Sequence, residues 1–274
     1  MMMGETQIAY LMLFTAPGMF AVNMLVARWM ANEAPPVALA FWRWFGVLLL
    51  MLMLRGNQLW QNRHFVLGEW KDLLVLGILG MGICGAFVYI GAETTAASNI
   101  GLLYSSSPVL IALMAWKFYN ERLTLLQILG GLICLCGVLW IVMRGSFETL
   151  INLDFNVGDL WILTAVVSWA VYVVILKYRS TGMAMTTRFT AICLYGTLVL
   201  LPFYIWESLI FETMPITSDS MTAVALLVFI AGFGAYQAYG KAQAVLGAAR
   251  IDFIPEPVVC LSLIHISEPT RRLS

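Results

Sequence analysis

Polar residues in this chain gather in short clusters. Between them run apolar stretches near the roughly 20 residues that a helix, rising about 1.5 Å per residue, needs to cross about 30 Å of hydrocarbon. The stretches cover Ile8 to Ala27, Val37 to Leu54, Leu73 to Ala92, Ala96 to Trp116, Leu123 to Met143, Leu160 to Leu176, Phe189 to Trp206 and Met221 to Gly240, and a ninth begins near Ala248. They are continuous rather than alternating, which predicts helices instead of barrel strands, because a helix in lipid satisfies its own backbone groups. The pattern therefore predicts an all-α integral membrane protein.

The pattern also repeats. Phe20 to Arg28 lies over Trp169 to Lys177 at an offset of 149 residues, with Thr15-Ala16 over Thr164-Ala165. The same offset places Gly85-Ala86-Phe87 over Gly234-Ala235-Tyr236, Gly91 over Gly240 and Pro108-Val109 over Pro257-Val258. One offset recurring in separate segments is the mark of duplication. The unit holds five spans, and an odd number makes a second copy enter the membrane with opposite polarity, the inverted-repeat device of transporters. The expected organisation is a first five-helix repeat over residues 1–149 and a second over 150–260, on a ten-helix plan. Projected forward, the partner of Glu121 falls at Thr270 and a partner for the fifth span lies past Ser274. The second repeat is therefore expected to be cut off in helix nine. Leu261 to Arg271 resembles the translated read-through of a transposase sequencing adapter, so residues 261–274 are expected to be a foreign tail and the chain a fragment.

Composition adds little to the class but much to the orientation. With 61% hydrophobic and 11% charged residues and a mean hydropathy of +0.88, water cannot hold this chain as a globule. The net charge of zero conceals a sorted distribution. With the N-terminus in the cytoplasm, the inner connections hold Arg55, Arg63, Lys71, Lys117, Arg122, Lys177, Arg179, Arg188, Lys241 and Arg250, against Arg28 and Arg144 outside. The outer connections are acidic, with Glu33, Glu93, Glu148, Asp154, Glu207, Glu212 and Asp219. The positive-inside rule thus predicts a multi-pass protein of a bacterial cytoplasmic membrane with a cytoplasmic N-terminus. Basic residues spread over several short loops leave no nucleic-acid footprint, so the expected partners are the lipid bilayer and a small-molecule solute.

Several residues bear on that solute. Arg43 stands within Phe41-Trp42-Arg43-Trp44-Phe45, and an arginine near a helix centre costs about 2.5–3.5 kcal/mol on insertion scales. It should face the bundle interior, where its fork suits a carboxylate or phosphate, or else bond backbone carbonyls at a broken helix. Asn23, Tyr89, Trp169, Tyr172, Tyr236 and Gln237 are polar or amphipathic groups within spans and are candidates for cavity lining, as are Tyr104 and Ser107 beside Pro108. Pro17, Pro108 and Pro257 are candidate helix breaks that would free backbone groups for a ligand. Asp252 and Glu256 lie four apart, on one face of a helix. Two carboxylates so placed repel, which suits one of them to carry a proton in coupled transport.

Taken in order, these motifs carry a family resemblance. Arg43 in the second span, Pro108 followed by Glu121-Arg122, Ser168-Trp169-Ala170 with Tyr172, and Glu256-Pro257-Val258 resemble the drug/metabolite transporter superfamily in its EamA-type branch, over approximately residues 8–260. The resemblance implies ten helices, both termini in the cytoplasm, a central cavity built from both halves, and export or uptake of small metabolites such as amino acids. The competing reading is a membrane-embedded enzyme or a non-transporting scaffold. Chemistry gives that reading little footing. His64 and His265 cannot form a metal cluster or a triad, and Cys84, Cys134, Cys136, Cys193 and Cys260 sit in apolar runs without zinc or redox spacing. No phosphate loop is present, so no cofactor or metal is expected, and transport would be secondary.

Overall fold

The computed structural model describes residues 5–95, 97–120, 125, 129, 130, 132, 133, 136, 156–179, 181–211 and 213–246. Among them every regular element is helical. Seven helices are long and apolar enough to cross a membrane: α1 (Glu5–Trp29), α2 (Pro36–Gln61), α3 (Trp70–Ala92), α4 (Asn99–Tyr119), α5 (Val157–Tyr178), α6 (Met185–Ile210) and α7 (Ser218–Ala242). They match the first four predicted stretches and the sixth to eighth. The fifth, Leu123 to Met143, falls mostly outside the described residues. The ninth, with Asp252, Glu256 and Pro257, and residues 261–274 lie outside them altogether.

Local chemistry sets the helix ends. Asn156 and Asp159 form a reciprocal capping box that starts α5, and Thr217 with Ser220 does the same for α7. Asn120 ends α4 in the left-handed conformation, at φ 53°. Pro108 sits in the first turn of the second segment of α4, just past a break at Ser106. Pro17 differs: α1 runs through it as one helix, so the described backbone is not interrupted there.

The offset seen in the sequence reappears in the architecture. α2 and α6 are displaced by 149 residues at both ends, and α1 and α5 end 149 residues apart. Both α3 and α7 contain a π-helical segment, Gly77–Ile83 and Leu226–Gly234, and the two begin at the same offset. Contacts at helix ends give the directions. Arg28, at the end of α1, donates to the Ala92 carbonyl at the end of α3, so those two helices are parallel. Asn156, at the start of α5, donates to the Thr94 carbonyl just past α3, and Arg179, just past α5, pairs with Asp72 near the start of α3. α5 therefore runs opposite to its counterpart α1. Likewise the end of α6 meets the start of α2 through Glu207.

The halves interlock by exchange: α1 packs on α7, α5 on α3, and α2 on α6. Close crossings rely on glycine. A Cβ at Gly196 in α6 would stand 2.5 Å from Met81 Cβ, and one at Gly77 would stand 2.7 Å from the Gly196 amide nitrogen. In a membrane such small residues let backbones approach, which matters because lipid offers no hydrophobic drive for helices to associate. The outward faces carry exposed Phe14, Met53 and Leu209, as a lipid-facing surface requires.

Candidate functional site

Four charged side chains are buried among the described residues: Arg43, Asp159, Arg188 and Glu207. Three serve helix ends. Asp159 accepts from the Asn156 amide, Arg188 donates to the Leu176 carbonyl near the end of α5, and Glu207 accepts from the Val37 and Ala38 amides. Each offsets the unpaired backbone groups that any helix leaves at its termini. Arg43 has no such role, because it lies in the body of α2.

Its environment is neutral. Arg43 Nη1 donates to Asn23 Oδ1 at 2.7 Å and to the Tyr89 hydroxyl at 3.4 Å, and Tyr89 donates to the same Asn23 oxygen at 2.7 Å. Nη2 donates to the Ala231 carbonyl at 3.3 Å. Ala231 belongs to the π segment of α7, where the shifted hydrogen-bond pattern releases carbonyls from the regular ladder. The π segment of α3 is met in a comparable way, because Ser168 of α5 donates to Leu79 O at 2.9 Å. In both places a side chain of one half bonds the irregular backbone of the other. The backbone-bonding reading of Arg43 is thus realised, but it does not exhaust the guanidinium. Arg43 Nε is buried with no partner among the described residues, and so is Trp44 Nε1. The Arg43 guanidinium carbon lies 4.6 Å from the Trp44 ring centroid.

Both side chains line a cavity of about 70 Å³. Its wall takes Phe20 and Asn23 from α1, Arg43 and Trp44 from α2, Cys84 from α3, Tyr104 and Ser107 from α4, Trp169 from α5 and Tyr236 from α7. Tyr236 is the aromatic hub, with ring centroids of Phe20, Trp44 and Phe189 at 5.2, 5.5 and 4.8 Å. Buried donors without acceptors, set in an apolar aromatic wall, are suited to a small solute carrying acceptor oxygens.

The sequence candidates divide by place. Asn23, Arg43, Tyr104, Ser107, Trp169 and Tyr236 line the cavity. Tyr89 stands behind Asn23, and Tyr172 stacks on Trp169 at 5.3 Å. Gln237 turns away and lies 3.3 Å from Met51 Sδ. Sequence reasoning missed Trp44 and Phe20 as lining, and it counted Glu207 and Arg188 as loop charges, although they are only 7% and 5% exposed. A signal for Glu207 was available: it follows Trp206 without a turn residue, within reach of a helix continuing to Ile210.

The chain is similar to proteins named as transporters over nearly its whole length. The model of the EamA-like transporter family matches residues 7–143 and 156–264. "Uncharacterized transporter YyaM" of Bacillus subtilis (strain 168) is 25% identical over 262 residues, covering 93% of this chain and 84% of that protein. "Uncharacterized transporter YetK" of the same organism is 24% identical over 272 residues, covering 95% and 80%. A solved crystal structure shares the fold, with a TM-score of 0.68 at 20% identity over 96% of this chain and 90% of that one. Seven apolar helices, a largely apolar cavity lined by both halves and a family match in both halves lead to one conclusion: this multi-pass membrane protein belongs to the EamA-like transporter family.

Proposed function

We propose that the protein is a secondary transporter that moves a small carboxylate-bearing metabolite, such as an amino acid, by alternating access between its two repeats, residues 1–149 and 150–260. The observation that carries this reading is a pair of buried donors, Arg43 Nε and Trp44 Nε1, that lack a partner among the described residues and belong to side chains lining the cavity between the halves. A carboxylate would complete both. A guanidinium among neutral partners keeps its full attraction for an anion, and the low-dielectric wall strengthens it. The opposite running directions of α1 and α5 support the exchange of the two halves between inward- and outward-open shapes.

The sorting of basic residues supports a cytoplasmic N-terminus in a bacterial inner membrane. Asp252 and Glu256 are proposed as the proton-coupling pair, because two carboxylates one helical turn apart cannot both stay charged cheaply in a membrane. The test is counterflow in proteoliposomes with a panel of amino and organic acids, each set against its amide. Saturable uptake of an acid and not of its amide, lost in R43A, supports the reading. Equal uptake of acids and amides, or uptake indifferent to R43A, sinks it.

A further inference from the structure

Glu207 is a buried charge that ties the two halves together by capping a helix start of the other half. Its carboxylate oxygens accept from the Val37 and Ala38 amides at 3.0 and 2.7 Å, so the end of α6 caps the start of α2. That cap is needed, because the N-cap residue of α2 is Pro35, which supplies no side-chain acceptor. One turn deeper, Phe41 of α2 stacks on Tyr204 of α6 with centroids 4.4 Å apart. Arg43 follows two residues later on the same helix, so the helix that Glu207 caps is also the one that carries the cavity's arginine.

The repeat supplies an internal control. At the 149-residue offset the partners of Pro35, Val37 and Ala38 are Ala184, Thr186 and Thr187, and the partner of Glu207 is Gln58. Ala184 is the N-cap residue of α6 and likewise offers no side-chain bond. Yet the Gln58 side chain makes no hydrogen bond among the described residues, and the partners of Phe41 and Tyr204 are Thr190 and the exposed Arg55. Two equivalent helix starts thus exist, one at each membrane face. Only one is latched.

We infer that Glu207 is the gating residue of the face on which α1 ends, holding that face shut, and that Gln58 is its counterpart at the opposite face, able to cap Thr186 and Thr187 only after Glu207 lets go. A charged acceptor on two amides at a helix start is stronger than a neutral amide oxygen, so the unliganded protein rests closed on the Glu207 side. Glu93, just past α3, is a charged group that bears on Glu207 from a neighbouring element. The inference rests on the alternating-access reading, but its test needs no solute.

Spin labels are placed in the full chain after replacement of its five cysteines. One pair, Glu33→Cys with Ile216→Cys, reports the Glu207 face, and another, Asn57→Cys with Ala184→Cys, reports the opposite face. Distances are measured by pulsed electron paramagnetic resonance in lipid nanodiscs. E207A is expected to move the first pair's main population to longer distance and shorten the second. Q58E, which puts a carboxylate at the counterpart site, is expected to shift both pairs the same way while leaving Glu207 in place. E207Q should lie between parent and E207A. Should E207A fail to fold, Q58E and E207Q decide the matter. Unchanged distributions in Q58E and in whichever Glu207 variant folds would overturn the latch and leave Glu207 a structural cap, whether or not transport is ever demonstrated.

Discussion

The second and third helices of the first half and their counterparts in the second half share a backbone plan and differ in chemistry. α2 and α6 have equal lengths, and α3 and α7 break into π geometry at equivalent places. Yet the counterpart of Arg43 is Ile192, fully buried and apolar, and the counterpart of Tyr89 is Ala238. Across the 149-residue offset the backbone thus keeps the deformations that let helices cross, while among the described residues only the first half places a charged side chain at the cavity wall. Two buried guanidinium groups facing one small cavity would repel each other, and one is enough to bind a carboxylate.

The strongest way to break this asymmetry is R43A. Deleting a charged donor from a buried site costs about 1.5–3 kcal/mol, so solute affinity should fall roughly 10- to 100-fold, with Asn23 and Tyr89 left facing each other. Binding isotherms for the solute found by counterflow check this, and an unchanged affinity would return Arg43 to a structural role. The mirror variant, I192R, should not rescue it.

Next in size is the crossing between halves. G196V should destabilise the bundle by about 1–3 kcal/mol through overpacking against Met81. Its counterpart is already Val47, which meets Gly232 instead, where a Cβ would stand 2.4 Å from Val47 Cγ2. The two crossings therefore solve one packing problem with the small residue on opposite helices, and V47A should be tolerated better than G196V. Thermal unfolding in detergent ranks the two.

N156A removes the capping box of α5 and the bond to Thr94, and should cost about 1 kcal/mol, read as a lower melting temperature. W44F is expected to separate stability from function. Loss of an unsatisfied donor leaves the melting temperature level or higher, while the apparent KM for an acid solute rises by a factor of roughly 2–10. A parallel loss of stability and affinity would mean that Trp44 serves packing alone. The smallest effect belongs to D72A. Arg179 and Asp72 are 52% and 37% exposed, so this ion pair between halves should contribute less than about 1 kcal/mol and respond to salt.

Hydropathy alone was enough to read the described spans, because a bilayer demands the same length and apolarity of every crossing helix. The matching π segments fall at the constant offset but were not legible in the sequence, since a register shift of the backbone leaves no mark in a run such as Leu226 to Gly234. Arg43 was legible because a charge inside an apolar run is costly wherever it points. Glu207 and Arg188 were not, because at a span boundary the same residue can face water or cap a neighbouring helix, and only the packing of α6 on α2 and the approach of the α6 start to the end of α5 select between them. Gln237 shows the converse: it is polar and lies within a span, yet it is turned to Met51 by the rotation of α7. Length, polarity and duplication are properties of one strand read in order, and the sequence by itself determined them. Which side chains meet across the duplicated halves depends on helix rotation and crossing, set by contacts between residues far apart in the chain, and the tertiary structure alone decided it.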